Sequence, residues 1–209
     1  MRVRVKICGI TRQEDAALAV ELGASALGFV FWSDSPRCVS VEHAREIAAA
    51  VGPFVARVGV FVNAPPEEVG RIVRAVRLDA VQLHGDEPVG RYLSWDTRVI
   101  KAVRLTSEDD VERAADLPRH VTPLVDAADA IRRGGTGQLA DWDQAAALSL
   151  RRPIMLAGGL VADNVIGAIR KVRPWAVDVS SGVEAAPGVK SVERMTHFFQ
   201  AVSNEAVGQ

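Results

Sequence analysis

Four side chains able to move protons or grip an anion stand at the ends of short apolar runs in this sequence. Cys8 closes VRVKIC, His84 closes AVQLH, Asp126 closes PLVD, and Arg37 lies a few residues beyond ALGFVF. A thiol serves as a base near neutral pH only if its thiolate is stabilised. A carboxyl group can donate a proton if it is held in its acid form. Together with an arginine for a negative group, the set suits proton transfer on a small anionic molecule. Each residue also has an ordinary structural explanation. A lone cysteine packs as a small hydrophobe, an aspartate after a strand caps the next element, and a histidine there supports a neighbouring loop.

Three glycine-rich segments follow later runs: Gly134, Gly135, Thr136 and Gly137 after the run ending at Val125, Gly158 and Gly159 after IML, and Ser180, Ser181 and Gly182 after AVDV. Glycine lets backbone approach a ligand closely, and N–H groups at a helix start form an anion site. A single Gly-Gly is most often a tight turn. The adjacent pair AGG and SSG points to a phosphate, held by backbone N–H groups because AGGL and SSGV contain no lysine.

These residues need a scaffold that gathers strand ends. Eight β-branched runs recur, at 3–7, 26–31, 57–62, 80–83, 99–103, 123–125, 154–157 and 176–179, and patterns with helical spacing lie between them, at 14–22, 41–51, 66–76, 165–172 and 192–202. Ser40, Ser107 and Ser191 are suited to N-caps. The alternation predicts a parallel sheet, and eight units in 209 residues predict one (β/α)8 barrel domain spanning 1–209, with a doubly wound open sheet as the alternative. In such a barrel the chemistry sits at the C-terminal strand ends, where Cys8, Arg37, His84 and Asp126 all fall. Alternation turns Val5 and Ile7 toward the helices and Lys6 and Cys8 inward. The same argument turns Asp178 and Ser180 inward on the last strand. Lys6 and Asp178 are therefore expected to form an interior ion pair, either as a polar plug or as a device that lowers the pKa of Cys8.

Composition narrows the partners. The chain carries 25 Lys and Arg against 26 Asp and Glu, a formal net charge of -1, which gives no footprint for nucleic acid or an anionic membrane. Two cysteines do not make a secreted disulfide framework, MRVRVKICGI lacks a signal-peptide core, and charges interrupt every apolar stretch. A cytoplasmic protein is expected. No His or Asp pair has metal-ligand spacing, so no metal is expected, and a phosphorylated small molecule is the expected partner.

The ordered motifs VKICGIT (5–11), FVFWSDSPRCVS (29–40), VGVFVN (58–63), VQLHGDE (81–87), Asp126 through GGTG to DW (141–142), MLAGGL (155–160) and VDVSSGVEAAPGVK (177–190) resemble the phosphoribosylanthranilate isomerase family over nearly the whole chain. The resemblance implies a cofactor-free Amadori rearrangement of N-(5-phosphoribosyl)anthranilate in tryptophan biosynthesis. It implies Asp126 as general acid, Cys8 as general base and Arg37 on the anthranilate carboxylate. Gly158, Gly159, Ser180, Ser181 and Gly182 would hold the phosphate, with Gly135 and Gly137 in a loop that closes over it; Lys6, His84 and Asp178 are expected in support from their strand positions alone. It leaves monomer and homodimer open. The chain departs from the family in Ala140, where Phe is frequent before the DW pair, and in Ser191, where Asp is frequent. Two other readings stay open at this point. One is a barrel that binds a phosphometabolite without converting it; the other is a metal-dependent sugar-phosphate epimerase, for which His84 alone is available among inward histidines.

Overall fold

A computed structural model describes residues 3–92, 97–126 and 141–207. Eight parallel strands close into a barrel in chain order: β1 (Arg4–Cys8), β2 (Ala26–Val30), β3 (Ala56–Phe61), β4 (Ala80–Leu83), β5 (Arg98–Val103), β6 (Val121–Val125), β7 (Met155–Leu156) and β8 (Ala176–Val179). The last strand returns to the first, pairing Lys6 with Asp178 and Ile7 with Val179. Helices α1 (Gln13–Glu21), α2 (Val41–Ala50), α3 (Pro66–Val76), α4 (Glu108–Ala115), α5 (Trp142–Ser149), α6 (Ala162–Val172) and α7 (Val192–Val207) lie between and after the strands. A short antiparallel hairpin, β9 (Glu184–Ala186) and β10 (Val189–Lys190), precedes α7. Among the described residues, the connection from β4 to β5 holds a 3-10 turn, Val89–Tyr92, in place of an α-helix. No helix of the described residues is long and apolar enough to cross a membrane.

Strand alternation sorts the core into two parts. Val5, Ile7, Leu27, Phe29, Val81, Leu83, Val177 and Val179 pack outward on helix residues such as Ala16, Ile47, Ile72, Val165 and Phe198. Val58, Ala80, Ile100, Leu124, Met155, Ala157 and Ala176 fill the interior. Both faces of every strand are thus buried, which is why the runs read as continuous apolar segments. The three serines cap as expected: Ser40 accepts from the N–H of His43, Ser107 from Asp110 and Ser191 from Arg194. α3 carries Val69, Ile72 and Val76 on its buried side, and Arg71, Arg74 and Arg77 are exposed.

Arg152, before β7, ties the lower end of the barrel together. Its guanidinium donates to the carbonyls of Ala114, Ala115, Leu117, Pro118 and Val121, at 2.6 to 3.2 Å. Ala114 and Ala115 end α4, where the helix leaves its last carbonyls without internal partners, and the others lead from it into β6. Arg152→Met should destabilise the protein by about 2 kcal/mol and lower Tm by roughly 4–8 °C. Because this end is opposite the strand termini that carry the chemistry, kcat should change less than about twofold; thermal melts and steady-state turnover check both halves.

Candidate active site

β1 places Cys8 at the barrel mouth with Lys6 one layer below. Lys6 is 1% exposed and its Nζ donates to Asp178 Oδ1 at 2.8 Å. Room for this arrangement comes from Gly28, the strand neighbour of Cys8. A Cβ there would lie 2.9 Å from Cys8 Sγ, closer than packed atoms approach, and 3.1 Å from Lys6 Nζ, a tight contact. Burial pushes the Cys8 thiol above its ordinary pKa, and the charges of Lys6 and Lys190 pull it back only in part. The expected ion pair is therefore present, whereas the net displacement of the thiol is upward. Lys6 itself is pushed down by burial, but Asp178 and Cys8 outweigh that and raise it, so the ammonium keeps its charge.

On the other side of the mouth, His84 Nε2 lies 3.2 Å from Asp126 Oδ2. Gln82 Nε2 donates to His84 Nδ1 at 2.9 Å, which leaves the proton of the ring on Nε2, facing the carboxylate. Gln82 Oε1 is buried without a partner. The amide of Gln82 faces inward on β4, and sequence reasoning passed over it inside an apolar run. The rest of the HGDE motif is loop support: the buried Glu87 carboxylate accepts from Gly85 N–H at 2.9 Å and from Lys101 Nζ at 3.3 Å.

Arg37 is fixed by a residue that the sequence did not single out. Its Nε and Nη2 donate to the Glu184 carboxylate at 2.9 and 2.6 Å, and Lys190 Nζ donates to the same carboxylate at 2.8 Å. Burial alone would raise the Glu184 carboxyl, but hydrogen bonds from Arg37 and the charge of Lys190 hold it below the ordinary carboxylate range. The only early signal was Pro187-Gly188 between two short apolar stretches, a turn pattern that folds Lys190 back against Glu184.

Gly158 and Gly159 follow β7 with φ of 82° and 62°. Gly159, Ser181 and Gly182 line one cavity of about 460 Å³, shared with Asp163, Arg194 and His197. Gly182 is there because a Cβ would collide with the Leu160 carbonyl, so the two loops pack directly on each other. Ser180 follows β8, and its hydroxyl is buried without a partner. Arg194 and His197, from α7, also line this cavity, and the Arg194 guanidinium adds positive charge that the sequence reading did not assign to this site. Gly135 and Gly137 lie outside the described residues. Among the described residues, no three His, Cys, Asp or Glu side chains gather as a metal site would require.

Residues 5–201 match the model of the PRAI family, N-(5'-phosphoribosyl)anthranilate isomerase. The chain belongs to this family. Its relatives include the N-(5'-phosphoribosyl)anthranilate isomerase of Pseudomonas fluorescens, 49% identical over 201 residues that cover 96% of this chain and 98% of the relative. That of Geobacter sulfurreducens is 49% identical over 95% of this chain and 97% of its own. The crystal structure of the Thermotoga maritima phosphoribosyl anthranilate isomerase superimposes with a TM-score of 0.89 at 45% identity, covering 97% of this chain and 99% of that one. This phosphoribosylanthranilate isomerase family member thus keeps its fold and its motif order together.

The electrostatics at β1 give a direct test. In a Cys38→Ser background, thiolate absorbance near 240 nm should titrate above the ordinary thiol value of about 8.5. Lys6→Met should move that titration further upward, since it removes a neighbouring cation. Because an unpaired Asp178 costs a few kcal/mol, roughly 3–5, the titration is read on protein whose circular dichroism shows it folded. An unmoved curve would reduce Lys6 to a structural plug.

Proposed function

We propose that the chain isomerises N-(5-phosphoribosyl)anthranilate to 1-(2-carboxyphenylamino)-1-deoxyribulose 5-phosphate, the Amadori step of tryptophan biosynthesis. The observation that carries this reading is the pairing of unlike proton-transfer groups across one mouth: a thiol beside a cation at the end of β1, and a carboxyl bonded to a histidine after β6. A solved family member bound to reduced 1-(o-carboxyphenylamino)-1-deoxyribulose 5-phosphate, 45% identical with a TM-score of 0.86, supports the choice of ligand.

Asp126 gives its proton to the furanose ring oxygen as the C1–O bond breaks and the anthranilate nitrogen forms an imine to C1. Cys8 takes the proton from C2 of the protonated imine to give a neutral enolamine, which becomes the aminoketose as C1 gains a proton and the C2 hydroxyl loses one. Arg37 holds the anthranilate carboxylate, and the loops around Gly159, Ser181 and Gly182 hold the phosphate through backbone N–H groups. Gln82 serves either proton arrangement at Asp126. As placed, it leaves Nε2–H of His84 for the carboxylate; with the amide rotated, Oε1 would accept Nδ1–H, and His84 Nε2 would accept from the protonated acid.

Two free cysteines, one buried and one exposed, support a reducing, cytoplasmic setting. A homodimer is supported by Phe54, 97% exposed between α2 and β3, and by a cavity of about 590 Å³ at the same end of the barrel, lined by Ala26, Ala56, Ala80, Ile100, Met155 and Ala176 among others. The T. maritima relative is described as dimeric. Sedimentation should give twice the chain mass, and Phe54→Asp should give the monomer; a monomeric parent protein overturns the assignment.

Activity has its own test. Fluorescence of N-(5-phosphoribosyl)anthranilate should fall on adding the purified protein with a chelator present. Asp126→Asn should slow that fall by at least about 100-fold while product binding holds. A variant within a few-fold of the parent would remove Asp126 from the mechanism.

A further inference from the structure

The hairpin β9–β10 has no counterpart in the repeating strand–helix plan, and it carries two of the buried charges of the molecule. Glu184 and Lys190 face each other across it. The hairpin is sewn to the β1–α1 connection and the first turn of α1: Thr11 Oγ1 donates to the Gly188 carbonyl, and Lys190 N–H donates to Asp15 Oδ2 at 3.0 Å. Lys190 Nζ also donates to the Cys8 carbonyl at 2.6 Å. One buried ammonium therefore contacts both the backbone of the thiol and the carboxylate that holds Arg37.

A guanidinium has two edges that accept a carboxylate with two hydrogen bonds, Nε–Nη and Nη1–Nη2. Glu184 occupies the first, through Nε and Nη2. Nη1 has no hydrogen bond to a described residue, which leaves the second edge for a ligand. The charges of these three groups also come to one: Arg37 and Lys190 are positive and Glu184 negative; Lys190 and Glu184 are closed off from water, at 0% and 4% exposed, while Arg37, at 12%, keeps contact with solvent. A single net positive charge suits a single carboxylate.

We propose that Glu184 and Lys190 are the positioning pair of the substrate-carboxylate site: Glu184 takes the Nε edge of Arg37 and thereby presents the Nη1–Nη2 edge, and Lys190 anchors Glu184 to the Cys8 carbonyl, so that carboxylate grip and thiol keep a fixed spacing. The proposal rests on the reading of Arg37 given above. It assigns a task to the EAAPGVK segment that the reaction itself does not: discrimination between substrates with and without an ortho carboxylate.

The test compares dissociation constants of two ligands, the reduced product and the same compound without its carboxyl group, by calorimetry on the intact protein. Charge-assisted hydrogen bonds of this kind give the parent protein a preference for the carboxylate of roughly 10- to 100-fold. Glu184→Gln should reduce the preference to below about 3-fold while leaving the affinity for the carboxyl-free ligand near its parent value. Lys190→Gln, which keeps donors on a shorter side chain and folds independently of the first variant, should reduce it in the same direction. Equal weakening of both ligands would make the pair merely structural and overturn the proposal. So would a stronger preference in Glu184→Gln, because net charge rather than orientation would then decide. Arg37→Met separates the two layers. If it leaves the preference intact, the assignment of Arg37 fails; if it abolishes the preference while Glu184→Gln and Lys190→Gln retain it, the positioning proposal alone fails.

Discussion

Where the last strand of the barrel meets the first, Lys6 and Asp178 close the ring with a charged contact rather than an apolar one. Burying two charges is costly, and it is tolerated only when each satisfies the other. The pair lies on the inward faces, directly below the thiol, so barrel closure and thiol environment are one structural decision. Gly28 is the complementary concession on the neighbouring strand, giving up a side chain so that sulfur and ammonium fit. Remove either charge and the other is stranded within the layer that supports Cys8.

Above that layer, the mouth is organised by carboxylates that neutralise cations. Glu184 binds Arg37 and Lys190, and Glu87 binds Lys101 and the Gly85 N–H. Each of these carboxylates fixes a loop bearing a residue of the site, Arg37 in one case and His84 in the other. At Arg37 the cation keeps an unused edge, and there charge is left for a ligand. This division explains how a chain of nearly zero net charge can still present a locally positive site.

The barrel was legible because both faces of its strands are apolar, making eight β-branched runs visible one after another. α4 was not, since EDDVERAA buries only Val111 and Ala114 and reads as a charged loop; Ser107 alone hinted at it. Cys8, Asp126 and Arg37 could be picked out because strand ends are where reactive side chains collect. Gln82, Glu184 and Lys190 could not, because their meaning lies in partners that only folding supplies: a histidine two residues on, an arginine 147 positions away, and a hairpin too short to show periodicity. The sign of the Cys8 shift was hidden for a related reason. Alternation reveals that Lys6 is near, but the depth of burial that outweighs it is a property of the closed barrel.

That depth has a chemical consequence apart from turnover. Oxidants and alkylating agents attack the thiolate, not the thiol, and need access to sulfur. Cys8 is buried and held toward its protonated form, whereas Cys38 is exposed. Peroxide or an electrophile therefore meets Cys38 first, on the surface after β2, and the sulfur at the barrel mouth is shielded by the same burial that favours its protonated form.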